Sequence, residues 1–119
     1  MQKTIFVVDD SATNLTMAEI ALEKNFRVIT ASSAAKMFVI LKRILPDIIL
    51  LDIEMPEMNG FDAMTQLKAD PKTSKIPVVF LSAMDDTSIK TKCEEMGALG
   101  LITKPFILSD LLKLIESNI

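Results

Sequence analysis

Histidine is absent from this chain of 119 residues, and so are tryptophan and tyrosine. Without histidine the chain cannot build a Ser-His-Asp or Cys-His catalytic site, ligate zinc through imidazole, or donate phosphate from a phosphohistidine of its own. The single cysteine, Cys93, excludes an internal disulfide and every metal site made of several cysteines. One unpaired thiol suits a reducing cytosol, and we interpret Cys93 as a small buried hydrophobic residue rather than a redox sensor.

Excess positive charge is also lacking, because 13 basic residues stand against 16 acidic ones and the net charge is −3. An acidic chain without tryptophan or tyrosine offers neither the basic surface nor the aromatic stacking that nucleic-acid binding uses. No apolar run approaches the ~20 residues that span a bilayer, and the first residues fit no signal peptide. We therefore expect a cytoplasmic protein that binds neither nucleic acid nor membranes.

The residues that are present describe an apolar chain of the size of one domain. Half of them are hydrophobic and 24% are charged, with only three glycines and five prolines, which excludes disorder and collagen-like sequence. A chain of this length buries roughly two-thirds of its unfolded surface, so it needs neither disulfides nor a structural metal to fold. We predict that residues 1–119 form a single domain.

Short apolar segments alternate with segments of helical periodicity along the whole chain. The apolar segments show no polar alternation, which is typical of strands covered on both faces in a parallel sheet. We predict strands at residues 4–8, 26–30, 47–51, 77–81 and 99–103, and helices at about 12–24 (capped by Ser11), 34–45, 61–68, 89–96 and 108–119. Strict alternation of strand and helix predicts right-handed crossovers and an α/β fold with a parallel sheet.

Charged or hydroxyl side chains stand where four of these strands end. Asp9 and Asp10 follow the first strand, Asp52 the third, Ser82 the fourth and Lys104 the fifth. In an open parallel sheet these ends lie on one edge, where ligands bind at the point at which the strand order reverses. An aspartate directly after a buried apolar run is costly unless it is paired or liganded. We therefore expect these side chains to form one site.

The three carboxylates of this edge predict a site for a divalent cation, because they would otherwise repel one another. Mg²⁺ prefers oxygen ligands, is held by one or two carboxylates, and keeps waters that a phosphate can replace. Asp52 would then act as a nucleophile toward phosphorus. Lys104 would neutralise charge on the transferring group and the Ser82 hydroxyl would hydrogen-bond one of its oxygens, which is how phosphoryl transfer is mostly catalysed.

Several segments, in this order and spacing, resemble the receiver domain of two-component response regulators over essentially the whole chain. They are FVVDDS at 6–11, PDIILLDIEMP at 46–56, MNG at 58–60, PVVFLSA at 77–83, GA at 97–98 and KPF at 104–106. The chain is similar in this respect to the single-domain chemotaxis response regulator. The resemblance implies a flavodoxin-like fold, a doubly wound parallel sheet in the order 2-1-3-4-5 with five helices.

The resemblance also implies roles for individual residues. Asp52 matches the phospho-acceptor, Lys104 the lysine that contacts phosphate, and Ser82 the switch hydroxyl that moves to bond the phosphoryl group. The Lys104–Pro105 peptide matches one that is usually cis in the family. Leu101 departs from the family pattern, because it stands where a tyrosine or phenylalanine often rotates inward on activation. A leucine can still repack, so we assign Leu101 to the switch with Ser82.

In the resembling family the acidic pair holds the metal, so Asp9 and Asp10 are expected to bind Mg²⁺ with Asp52 and the backbone carbonyl of Glu54. The Glu54 side chain is expected at the mouth of the pocket, where it could orient water or repel an incoming phosphate. Met84 is expected at a second position of the mouth. Both positions are expected to tune how long a phosphoryl group survives. Gly60, in the loop after the acceptor strand, is expected to relax a tight turn.

The resemblance implies a signalling switch that assists its own phosphorylation and dephosphorylation, rather than an enzyme. A sensor histidine kinase or a histidine phosphotransfer domain would supply the phosphoryl group to Asp52 in a Mg²⁺-dependent reaction. The aspartyl-phosphate would then change a surface that a downstream effector or output domain binds. A dimer that depends on phosphorylation is compatible with this interpretation.

Two alternatives come from other classes of protein. A Mg²⁺-dependent phosphatase could work through an aspartyl-phosphate, with Glu54 as the second acid two residues after the nucleophile, but it would leave Asp9 and Asp10 unexplained. A flavodoxin-like electron carrier needs a glycine- and hydroxyl-rich phosphate loop after the first strand, and the acidic pair there would repel a flavin phosphate. Turnover of a phosphomonoester would favour the first alternative, and a coloured purified protein would favour the second.

Overall fold

A five-stranded sheet with helices between consecutive strands forms the fold. The computed structural model describes residues 2–84, 86–104 and 108–119. The strands are β1 (Thr4–Val8), β2 (Arg27–Ala31), β3 (Ile48–Asp52), β4 (Val78–Ser82) and β5 (Gly100–Thr103). The helices are α1 (Ala12–Leu22), α2 (Ala34–Leu41), α3 (Gly60–Ala69), α4 (Thr87–Glu95) and α5 (Leu108–Glu116).

All neighbouring strands pair in parallel, and their order is β2-β1-β3-β4-β5. This confirms the flavodoxin-like α/β topology. The order reverses between β1 and β3, which is where an open parallel sheet forms its ligand crevice. The register places Asp52 beside Leu81 and Ser82 beside Thr103. The carboxyl ends of β3, β4 and β5 therefore meet at one edge of the sheet.

Apolar side chains form one layer on each face of the sheet, because successive residues of a strand point to opposite faces. Phe6, Ile49 and Phe80 belong to the layer that α2, α3 and α4 cover. The other layer lies under α1 and α5. Cys93 is buried in the first layer, as predicted, and burial raises the pKa of its thiol above the ordinary value. Within the described ranges, no helix has both the length and the apolar character needed to cross a membrane.

The structure shifts several predicted boundaries. Strands β3 and β4 continue through Asp52 and Ser82, so these two polar residues are the last residues of their strands. The prediction that α2 continues to Leu45 was wrong, because the helix ends at Leu41 and Leu45 is 55% exposed. Pro46 provides the reason, since the residue before a proline is pushed out of the helical region.

The helices that begin near the carboxyl edge are capped by short polar side chains. Ser11 caps α1 as predicted, since its Oγ accepts from the Asn14 N–H, and Asn59 caps α3 in the same way. Asp86 caps α4, where the Ile89 N–H holds the pKa of the Asp86 carboxyl below its ordinary value. These caps satisfy amide groups that a helix leaves without partners at its first turn. They also anchor the starts of the helices at the edge that carries the site.

Position 60 requires glycine because a side chain would not fit there. The expectation that Gly60 relaxes a tight turn was wrong, because its backbone does not have a positive φ. The positive φ in the loop after β3 belongs to Glu57, at 69°, whereas Gly60 begins α3 with an ordinary φ. A Cβ on Gly60 would overlap the carbonyl oxygen of Asp52 and lie 2.9 Å from the Cα of Ile53. The first turn of α3 therefore packs directly against the backbone at the end of β3.

Candidate functional site

The edge predicted from the strand ends carries three carboxylates that lie close together. One carboxylate oxygen each from Asp9, Asp10 and Asp52 can be chosen so that all three lie within 4.8 Å of one another. Asp9 and Asp52 are almost fully buried, whereas Asp10 is exposed at the surface of the cluster. Two adjacent strands, β1 and β3, thus bring together the acidic residues that the sequence singled out.

Lys104, which directly follows β5, bridges the two buried carboxylates. Its Nζ lies 2.9 Å from Oδ2 of Asp9 and 3.0 Å from Oδ1 of Asp52, and the lysine side chain is 16% exposed. One ammonium group cannot neutralise three carboxylates. The cluster therefore keeps an excess of negative charge that favours a further cation.

The two oxygens of Asp52 have different surroundings. Oδ1 accepts from the Lys104 ammonium and from the Glu54 N–H at 3.2 Å. Oδ2 is buried and has no hydrogen-bond partner among the described residues. Such an oxygen is costly to keep in the interior unless something binds it. The three neighbouring carboxylates as a set fit a hard cation such as Mg²⁺, which takes oxygen ligands.

Burial and charge shift the proton equilibria of this cluster. Burial raises the pKa of Asp52 to about 7, and the Asp9 carboxylate also raises it, while Lys104 acts in the opposite direction. Burial would lower the pKa of Lys104, but the hydrogen bonds and charges of Asp9 and Asp52 together raise it above its ordinary value. Lys104 therefore stays protonated at neutral pH, and Asp52 titrates in the neutral range.

The raised pKa of Asp52 predicts a specific pH dependence of stability in protein freed of divalent cations with EDTA. An aspartate titrates near 3.9 when unfolded and near 7 here, so the folded state binds its proton more tightly. The stability from this proton is complete below about pH 4 and is lost as the pH rises to about 7. Asp52→Asn should lack this loss and be more stable than the wild type by about 1–2 kcal/mol at pH 8. Urea unfolding at a series of pH values measures both, and parallel curves for the two proteins would contradict the prediction.

Asp9 is positioned by a residue that the sequence analysis did not identify. The Asn14 side-chain amide donates to Oδ2 of Asp9 at 3.3 Å, and the Ser11 N–H donates to Oδ1 at 2.9 Å. Asn14 lies in the first turn of α1, one turn after the cap, and therefore faces back toward the end of β1. A polar amide at that spacing in a mostly apolar helix is the signal that would have predicted this contact.

Ser82 and Glu54 are joined directly, which the sequence did not predict. The Ser82 hydroxyl donates to the Glu54 carboxylate, whose Oε1 and Oε2 lie 3.0 and 2.9 Å away. The Ala83 N–H donates to Oε1 at 3.0 Å, and the Met84 N–H donates to the Ser82 oxygen at 2.9 Å. Ser82 is buried, Glu54 is half-buried and Met84 is 50% exposed. Glu54 thus reaches from the end of β3 to the end of β4.

The remaining predicted positions stay predictions. Leu101 is half-buried in β5 and packs against the layer that contains Phe80. No contact tests the expected role of the Glu54 backbone carbonyl as a metal ligand. The Lys104–Pro105 peptide lies partly outside the described residues, because Pro105 is not among them.

A known protein family matches this chain, whose strand ends carry the carboxylates, the lysine and the serine described above. The family model described as "Response regulator receiver domain" matches residues 5–116. The chain belongs to this family. Receiver domains act in two-component signalling as switches rather than as classical enzymes, and they interact with histidine kinases and effector domains. Receiver domains generally bind Mg²⁺, in keeping with the acidic cluster of this member.

The relatives of this chain differ in how much of their own length it matches. Response regulator PleD of Caulobacter vibrioides is 41% identical over 106 residues, which are 88% of this chain and 23% of PleD. Protein PilH of Pseudomonas aeruginosa is 36% identical over 114 residues, 95% of this chain and 94% of PilH. The chain thus spans about a quarter of PleD and nearly all of PilH. The solved structure of chemotaxis protein CheY4 of Vibrio cholerae, 24% identical over 100% of both chains, has the same fold with a TM-score of 0.93.

Proposed function

We propose that residues 1–119 form one receiver domain in which Asp52 accepts a phosphoryl group from a phosphohistidine of a partner protein. The partner would be a sensor histidine kinase or a histidine phosphotransfer domain. The observation that carries this proposal is the environment of Asp52, a buried carboxylate with one oxygen held by Lys104 and the other without a partner among the described residues. An unengaged oxygen beside a fixed positive charge is what a nucleophile toward phosphorus needs.

The proposed transfer makes one bond and breaks one. Oδ2 of the ionised Asp52 forms a bond to phosphorus while the bond from phosphorus to the imidazole nitrogen of the donor breaks. The imidazole leaves with the electron pair of that bond and takes up a proton. Lys104 remains beside Oδ1 and offsets the negative charge of the phosphoryl oxygens. Ser82, at the neighbouring strand end, can donate a hydrogen bond to one of those oxygens.

Mg²⁺ would be held by Asp9, Asp10 and Asp52, with the backbone carbonyl of Glu54 as a further ligand. When bound there, the ion would reduce the repulsion between the carboxylates and the negatively charged phosphoryl group. The chain's own contribution is to keep Asp9 in place through Ser11 and Asn14 and to leave Asp10 exposed toward an arriving donor.

The switch is proposed to act through residues that lie next to the phosphoryl group. New charge-assisted hydrogen bonds from Ser82 and Lys104 to the phosphoryl oxygens would favour one of two surface arrangements. Leu101, in β5 and three residues before Lys104, would repack in the same change. A downstream effector or output domain would bind the altered surface, and a phosphorylation-dependent dimer is one form this can take. We propose a cytoplasmic location for this exchange.

Incubation with Mg²⁺ and acetyl phosphate tests the proposal. We expect an acid-stable, base-labile adduct of about 80 Da, the mass of one phosphoryl group, on the wild type and on the surface control Asp62→Asn. Asp52→Ala should give none, Lys104→Ala should give much less, and EDTA should prevent the adduct on the wild type. Intact-protein mass spectrometry measures each result. An adduct on Asp52→Ala, or none on the wild type, would contradict the proposal, and steady turnover of a phosphomonoester would favour a phosphatase.

A further inference from the structure

Two hydrogen-bond donors at the end of β4 already bind an anionic group, which is the side chain of Glu54. The Ser82 hydroxyl and the Ala83 N–H both donate to the Glu54 carboxylate, at distances of 2.9 to 3.0 Å. Glu54 also donates its own N–H to Oδ1 of Asp52 at 3.2 Å. One residue therefore touches the acceptor carboxylate with its backbone and the serine with its side chain.

A phosphoryl group on Asp52 and the Glu54 carboxylate require the same partners. Both are anions with terminal oxygens, and both are recognised by convergent hydroxyl and amide donors. Ser82 has a single hydroxyl proton, so it cannot fully satisfy the Glu54 carboxylate and a phosphoryl oxygen at once. Two anions at these donors would also repel each other in a partly buried site. Occupation by one must weaken occupation by the other.

We propose that Glu54 is an internal, displaceable ligand of the anion site formed by the Ser82 hydroxyl and the Ala83 N–H, and that it holds the switch serine in the unphosphorylated arrangement. This inference rests on the proposed function, because it assumes that a phosphoryl group on Asp52 uses these donors. Glu54 is only half-buried, so its carboxylate can swing into water when it is displaced. Uptake of a phosphoryl group then includes the release of Glu54 from Ser82.

Binding of beryllofluoride, a non-covalent analogue of the phosphoryl group, tests the competition. In the presence of Mg²⁺, Glu54→Ala should bind beryllofluoride about tenfold more tightly than the wild type, the effect of about one charge-assisted hydrogen bond. Glu54→Gln should lie between them, since its amide oxygen can still accept but carries no charge. Glu57→Gln is the matched control, because Glu57 is an exposed glutamate of the same loop. Titrations followed by ¹⁹F NMR give the dissociation constants.

The amide resonance of Ala83 provides a readout that does not depend on phosphoryl chemistry. In the wild type without beryllofluoride, its proton should resonate downfield because it donates to a carboxylate. Glu54→Ala should move it upfield, whereas Glu57→Gln should leave it in place. Two-dimensional ¹H–¹⁵N spectra measure this shift and also show whether each variant is folded.

The outcomes separate the inference from the function on which it rests. If the wild type binds beryllofluoride but Glu54→Ala binds it equally or more weakly, Glu54 does not compete and the inference is overturned while the proposed function stands. An Ala83 resonance that is unchanged in Glu54→Ala overturns it as well. If neither the wild type nor any Glu54 variant binds beryllofluoride, the proposed function fails and the inference fails with it.

Discussion

Gly60→Ala is expected to lower the free energy of unfolding by about 2–3 kcal/mol, because the added methyl group has no room. Its Cβ would overlap the carbonyl oxygen of Asp52 and press on the Cα of Ile53. Both neighbours are backbone atoms, so relief requires α3 or the end of β3 to move. Urea unfolding monitored by circular dichroism measures the loss of stability.

The chain contains a matched control for this prediction at Gly100. A Cβ there would meet only the side chain of Leu114, at 3.2 Å, and the far end of a flexible side chain can move aside. Gly100→Ala should therefore change the stability by less than about 1 kcal/mol. If both alanine variants are equally stable, the close approach of Gly60 to β3 does not constrain the fold. Displacement of Asp52 in Gly60→Ala should also slow phosphorylation by acetyl phosphate, which the mass assay detects.

Lys104→Met is expected to destabilise the cation-free protein by about 2–4 kcal/mol at pH 8, since it leaves two buried carboxylates without their shared ammonium group. The side chain of Asp9 is 2% exposed and that of Asp52 is 1% exposed, so water cannot replace the lost partner. At pH 5 the cost should be smaller, because Asp52, with a pKa already raised to about 7, then carries a proton. Urea unfolding at both pH values in EDTA measures the difference.

Two further variants show whether the loss of stability in Lys104→Met is caused by the lost charge. Lys90→Met removes a lysine from the exposed face of α4 and should have little effect at either pH. Adding Asp52→Asn to Lys104→Met should restore part of the lost stability, because only one buried carboxylate then lacks the positive charge of the ammonium group. A double variant no more stable than Lys104→Met, or an equal cost at pH 5 and pH 8, would show that lost packing rather than charge causes the effect.

The number and type of the helices and strands, and their order along the chain, could be predicted because each depends on the local pattern of apolar and polar residues. Uninterrupted apolar segments indicate strands buried on both faces, and stripes with helical spacing indicate the helices between them. The strand order came from the resemblance, and the structure confirms it. The helix prediction failed at Leu45, where periodicity suggested a continuing stripe but the following proline ended it.

The acidic cluster could be predicted for a topological reason. Parallel strands put their carboxyl ends on one edge, so polar residues that end adjacent strands are expected to lie close together there. Asp9, Asp10, Asp52 and Lys104 therefore come together as expected. The role of Asn14 was missed, because its amide meets Asp9 only through the direction in which α1 leaves the sheet.

From the sequence alone one could establish an α/β fold, a carboxylate site at one sheet edge and the residue expected to accept phosphate. Only the tertiary structure decided that Lys104 bridges Asp9 and Asp52, that one Asp52 oxygen has no partner among the described residues, and that the Glu54 carboxylate accepts from the Ser82 hydroxyl. The physical reason is that a residue at the carboxyl end of a parallel strand lies at the same edge of the sheet as the carboxyl ends of the other strands. The direction of a hydrogen bond between side chains depends on distances of a few tenths of an ångström, which arise only when loops and helices pack together.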